Sequence, residues 1–227
     1  MTFKEQSGFR KAHSTDSVLC YVSDVLYKEM DNGRLTGVVF LDLKKAFDTV
    51  DHGMLIDALS SYGITDIEKQ WFTSYLQDRS QCTAIEKSLS QPRNVQLGIQ
   101  QGSILGPQLF SLYVNTLPKS VKNGKVMTYA DDTMLLYSAT SVAEIESRLN
   151  EDLLNVNEWL REHRLVLNTA KTKYMIFGTP QKLKNITEPI DINVNQTQLE
   201  RVYGYKYLGV FLDQYLNWND HLENGNK

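Results

Sequence analysis

Apolar residues return along this chain with two different periods, and each period marks a kind of element. In STDSVLCYVSDVLYKEMDNG, Val18, Val22, Val25, Leu26 and Met30 recur at helical spacing. Ser14 and Thr15 supply a start and Asn32-Gly33 a stop, so the spacing predicts a helix. TGVVFLDL (36–43) is a continuous β-branched and apolar run of strand length. HGMLIDALSSYG (52–63) and IEKQWFTSYLQD (67–78) read as two short amphipathic helices, the first ended by Gly63. QCTAIEKSLSQPRNVQL (81–97) reads as two strands around a polar turn, and GPQLFSLYVNTLP (106–118) as a helix opened by Gly-Pro. The segment holding TYADDTMLLY (128–137) reads as strand, turn, strand. SVAEIESRLNEDLLNVNEWLREHR (141–164) is the strongest helix. Ser141 and Glu144 predict a capping box, and Val142, Ile145, Leu149, Leu153, Val156 and Leu160 form one stripe. Strands around TKYMIFG, IDINV and KYLGVFL follow. Strands come as hairpins among helices, without strict alternation, which predicts an α+β fold with a mainly antiparallel sheet backed by helices.

Composition adds a frame. With 227 residues, 41% hydrophobic and 22% charged, the chain suits one large globular domain. No apolar run reaches the length of a membrane span, and MTFKEQSGFRK has no apolar core of the signal-peptide type. A net charge of −3 argues against a surface dominated by basic residues, so any nucleic-acid face is local. Cys20 and Cys82 stand far apart, outside metal-ligand spacing; they are expected to be buried thiols in a reduced intracellular setting, nucleus or cytoplasm. His13, His52, His163 and His221 form no pair with metal spacing and are expected to cap or to lie at the surface. There is no P-loop, dinucleotide fingerprint or nucleophile elbow.

The candidate chemistry is acidic. Asp131 and Asp132 sit side by side between Tyr129 and a segment built to be buried. As a lone pair they would read as turn residues. Asp42, however, interrupts an equally apolar strand, where an unpaired carboxylate costs several kcal/mol, roughly. If the two strands lie side by side, the carboxylates meet, and like charges that close ionise together only beside a cation. All-oxygen ligands select hard ions, Mg²⁺ above all.

In order and spacing, FLDLKKAFDTVDH, QGSILGPQLF, YADD, LVLNTAKTKYMIFG and YKYLGVFL resemble a reverse transcriptase, most closely the polymerase domain of a non-LTR retrotransposon. QSGFRKAHSTDSVL near the start is similar to that group's passage from fingers to palm, so the resemblance runs from about residue 5 to about 222. It implies a right-hand polymerase palm within a single domain spanning 1–227, with the end of the fingers at 1–35, the palm at 36–180, and the primer-grip region and start of the thumb at 181–227. It implies that Asp42, Asp131 and Asp132 hold Mg²⁺, or Mn²⁺, for nucleotide addition. It also implies a steric-gate role for Phe47, contacts to the incoming nucleotide from Gln101 and Gly102, and a grip on the triphosphate by Arg10 and Lys11. Lys171 is implied near the departing pyrophosphate, and Lys44 or Lys45 could offset the acidic cluster. The implied partners are an RNA template, a DNA primer and deoxynucleoside triphosphates, together with endonuclease and thumb regions of a longer parent polyprotein. Gln100 departs from the family's usual proline, and Thr116 from a common aspartate. Two alternatives remain open: a catalytically inactive relic that binds RNA weakly, and an intron maturase or telomerase-like palm enzyme.

Overall fold

The structure is a computed structural model that describes residues 6–8 and 13–217. Arg10, Lys11 and His221 lie outside the described residues. In chain order the elements are α1 (Thr15–Asp31), β1 (Leu35–Leu41), a 3₁₀ turn (Ala46–Thr49), α2 (His52–Ser61), α3 (Asp66–Leu76), β2 (Arg79–Gln81), β3 (Ala84–Ile85), β4 (Ser88–Leu89), β5 (Arg93–Val95) and α4 (Gly106–Tyr113). A second 3₁₀ turn (Leu117–Ser120) leads to β6 (Lys125–Tyr129), β7 (Asp132–Ala139), α5 (Val142–Glu162), β8 (Lys173–Phe177) and α6 (Pro180–Lys184). Short pairs close the chain: β9 (Asn193–Val194), β10 (Thr197–Gln198), β11 (Glu200–Arg201), β12 (Gly204–Tyr207) and β13 (Val210–Asp213).

The central sheet has strand order β11-β8-β1-β7-β6. Its pairs are antiparallel except β11 with β8, which run parallel. Every residue of β1 is buried, because both faces of the sheet are covered. This explains why TGVVFL reads as a continuous apolar run. On one face Val39, Leu41, Leu135 and Ile176 pack with Ile145, Leu149 and Leu153 of α5 and with α2 and α4. On the other, Val38, Phe40, Met134, Leu136 and Met175 pack with Val18, Val22 and Leu26 of α1 and with the β12–β13 hairpin. Gly37 permits the first contact: a Cβ there would fall 2.4 Å from Ile145 Cγ2.

Several expectations need correction. Residues 79–95 form two nested hairpins, β2 with β5 and β3 with β4, where two strands were expected. The helix expected over 106–118 ends at Tyr113 and resumes as a 3₁₀ turn at Leu117. Only half of the α5 capping box forms: Ser141 Oγ accepts from Glu144 N, while the Glu144 carboxylate accepts from Tyr137 Oη at 2.8 Å. The reciprocal box closes at α1 between Ser14 and Ser17. Cys20 and Cys82 are both exposed, since the first lies on the outer side of α1 and the second in the outlying hairpins.

Candidate active site

The pairing of β1 with β7 sets the site. Its last rung joins Leu41 to Thr133, so the next positions along the two strands are Asp42 and Asp132. Side chains alternate along a strand, which puts both on the side of Phe40 and Met134, facing the β12–β13 hairpin. The β6–β7 connection is two residues, Ala130 and Asp131, between the paired Tyr129 and Asp132. Ala130 takes a left-handed φ of 59°. A short stretch near the chain start braces this turn: Ser7 N donates to Thr128 O at 2.9 Å. Gly8 lies so close that a Cβ would sit 2.3 Å from Ala130 N, so only glycine fits.

Burial and charge act together here. Partial desolvation, then the charge of Asp131, then that of Asp42, hold the Asp132 carboxyl above the usual carboxylate range, although its side chain reaches solvent. Tyr205 stacks on Phe40 with ring centroids 4.0 Å apart. Burial, Asp132 and Asp42, in that order, raise its hydroxyl pKa. Tyr207 is buried, and desolvation followed by Asp132 pushes its hydroxyl up strongly. Both tyrosines therefore sense the same acidic spot.

Asp42 is held from a different direction. Asn168 Nδ2 donates to Asp42 Oδ2 at 2.8 Å, and Asn168 N donates to Asp42 O at 2.7 Å. Asp42 N donates to Thr172 Oγ1 at 3.2 Å. Lys171, exposed, sits in the turn between those two residues, its N–H bonded to Asn168 O. The family resemblance pointed to Lys171, while Asn168 and Thr172, the residues that touch Asp42, carried no signal in the sequence.

Beyond β1 the chain turns through Lys45 at φ 48° into the 3₁₀ segment. Phe47 is half-buried and stacks on Phe110, centroids 4.4 Å apart. Asp48 Oδ1 accepts from Gln101 Nε2 at 2.8 Å, tying the 3₁₀ segment to the loop before α4. Gly102 has φ 76° and open space where a Cβ would stand. Lys44 and Lys45 are exposed, and Lys45 lines the cleft beside Asp48 and Gln101. The two family departures have local partners: Gln100 Oε1 accepts from Arg79, and Thr116 Oγ1 accepts from Trp159 Nε1.

Residues 2–212 match the family model for reverse transcriptase (RNA-dependent DNA polymerase). The chain belongs to the reverse transcriptase family. It is 32% identical to the probable RNA-directed DNA polymerase from transposon BS of Drosophila melanogaster, over 96% of this chain and 24% of that protein. It is 30% identical to the RNA-directed DNA polymerase from mobile element jockey of Drosophila funebris, with the same two shares. The chain thus spans about a quarter of the curated relatives it matches. Among solved structures, apo telomerase from Candida tropicalis superposes with a TM-score of 0.60 at 12% identity, covering 95% of this chain and 40% of that one. That likeness shows a shared palm fold, an α+β sheet backed by helices.

In this reverse transcriptase chain the acidic donors are all oxygens, the ligands that a hard cation takes. Among the described residues no three His, Cys, Asp or Glu side chains already converge as a metal-ligand set. Asp131 and Asp132 are exposed, however, and able to change rotamer, while Asp42 is fixed by Asn168. Burial first, and then repulsion from Asp131 and Asp42, raises the cost of ionising Asp132. A divalent ion would offset the repulsion, and an oxygen-only donor set suits a hard cation such as Mg²⁺ or Mn²⁺. Among the described residues no helix is long and apolar enough to cross a membrane.

Proposed function

We propose that the chain is the polymerase portion of a retrotransposon RNA-directed DNA polymerase, which extends a DNA primer along an RNA template with deoxynucleoside triphosphates. The observation that carries this reading is the placement of Asp42 and Asp132 at facing positions of two paired strands, with Asp131 in the adjoining turn. Asp42, Asp131 and Asp132 would hold Mg²⁺, and Mn²⁺ could replace it. When bound, the metal supplies charge neutralisation at the phosphates and a lowered pKa for the primer hydroxyl.

The remaining residues position the reactants. The primer 3′-hydroxyl gives its proton to solvent as its oxygen bonds to the α-phosphorus, the bond to the bridging oxygen breaks, and pyrophosphate leaves. Lys171, exposed beside the residues that hold Asp42, is suited to give that leaving group a proton. Phe47 presents an aromatic edge held by Phe110. In this reading its ring would admit a deoxyribose and exclude a 2′-hydroxyl. Gln101 and Gly102 face the base and sugar, and Arg10 and Lys11 grip the triphosphate. Residues 1–35 end the fingers, 36–180 form the palm, and 181–227 carry the primer grip and the start of the thumb.

Primed RNA template, deoxynucleotides and Mg²⁺ or Mn²⁺, supplied to the purified chain, test the reading. Extension that Asp131→Asn reduces to background supports it. Template retained on a filter by both proteins, with extension by neither, would replace it with an RNA-binding relic.

A further inference from the structure

Helix α3 carries a line of side chains that runs from solvent, at Ile67 and Trp71, to the edge of the core, against which Tyr75 packs. Ile67, Trp71 and Tyr75 follow one another at four-residue spacing, the register of one helix face, and Arg79, at the start of β2 just beyond the helix, folds back onto them. Ile67 is 78% exposed and Trp71 53%. The Trp71 and Tyr75 rings stack nearly parallel, 5.6 Å apart with 9° between planes. The Arg79 guanidinium then lies 4.8 Å over the Tyr75 ring. An exposed indole plane, backed by a half-buried phenol ring and a guanidinium, is a surface on which a base can stack.

The ladder leads to the candidate active site. Arg79 Nε donates to Tyr75 O, and Arg79 Nη1 donates to Gln100 Oε1 at 2.5 Å. Gln101, the next residue, is the one bonded to Asp48. Alongside runs a cleft of about 770 Å³, lined by Lys45, His52, Tyr75, Arg79 and Gln101 among others. Asp48 is the one carboxylate among its described lining residues, against Lys45 and Arg79. Cations, amides and hydroxyls in a groove, with an aromatic platform at its rim, suit a chain of phosphates whose bases are unpaired. A duplex has its base faces covered and cannot use the Trp71 plane.

We propose that the Trp71–Tyr75–Arg79 ladder and its adjoining cleft carry single-stranded template RNA toward the position beside Gln101. This rests on the polymerase reading and adds a path for the strand not yet copied.

Binding of the full chain to a fluorescein-labelled single-stranded RNA of about twelve nucleotides, a length within the usual site sizes, tests it by anisotropy. Trp71→Ala should weaken binding about tenfold, the loss of roughly one stacked base. Trp71→Phe should retain most of the affinity, and blunt duplex RNA should bind all three proteins alike. Tryptophan fluorescence should be quenched by the single strand in the parent chain and much less so in Trp71→Ala. Affinity of Trp71→Ala within twofold of the parent overturns the proposal, as does an equal loss on blunt duplex. Self-association that Trp71→Ala abolishes, with RNA binding unchanged, would make the face a protein interface instead. The two readings fail separately. If Asp131→Asn extends as well as the parent, the polymerase reading falls while the anisotropy result stands. Extension lost only in Asp131→Asn, with Trp71→Ala binding normally, removes the ladder alone.

Discussion

Asn168 donates its side-chain amide to the carboxylate of Asp42 across 126 residues of sequence, and its backbone amide to the Asp42 carbonyl. One residue thereby fixes both the strand end and the acid it carries. Asn168→Ala should lower primer extension about tenfold and raise the Mg²⁺ concentration needed for half-maximal rate, since a hydrogen bond to a charged group contributes about 1.5–3 kcal/mol. Asn168→Asp should be worse, because it sets a like charge against Asp42. A titration of extension rate against Mg²⁺ separates this from simple loss of fold, which would leave the half-maximal concentration unchanged.

Asp132 gives a pH-dependent stability with a definite sign. Its pKa is higher folded than unfolded, so ionising it costs the folded state. The cost is absent below the unfolded pKa and complete above the folded one. Asp132→Asn should therefore raise the melting temperature at neutral pH without divalent ions, by about 2 °C at most. The gain should vanish near about pH 3. Added Mg²⁺ should stabilise the parent chain more than the variant, reversing the order. Thermal melts at both pH values, with and without the ion, check each step.

Tyr207 is buried, and its hydroxyl meets no hydrogen-bond partner among the described residues. A buried polar group left unmatched is a liability. Tyr207→Phe keeps the ring that packs near Phe40 and should stabilise the chain by about 0.5–1 kcal/mol. Urea denaturation gives the sign directly; a clear loss would mean that the hydroxyl is bonded.

Phe47 has two jobs that one substitution separates. Phe47→Ala should lower the preference for deoxy- over ribonucleotides by roughly tenfold or more. It should also cost about 2 kcal/mol of stability through the lost stack on Phe110. Phe47→Leu should restore much of the stability. Single-nucleotide incorporation with each sugar, beside urea melts, reads both effects.

The elements legible in the sequence are those whose pattern is local. The stripe of α5, the Ser14 start of α1 and the Tyr129–Asp132 turn follow from spacing within one or two turns of chain. What was not legible depends on partners far away. Asn168 and Thr172 reach Asp42 because Leu43 bridges Leu167, a pairing that no local pattern announces. The nested hairpins of 79–95 escaped because their strands are two or three residues long, too short for alternation to show. Cysteine's usual preference for the interior misled at both positions, where helix side and hairpin placement decide exposure.

The β6–β7 and β3–β4 hairpins differ in what a change of length would do. Between Tyr129 and Asp132 there is no slack. One added residue would either bulge out or turn the following strand over, bringing Thr133 and Leu135 beneath α1 in place of Met134 and Leu136. The tip joining β3 to β4 is exposed along both of its strands. Insertions and deletions can accumulate there without disturbing the sheet, so related chains should vary in length at that tip and keep the acidic turn at two residues.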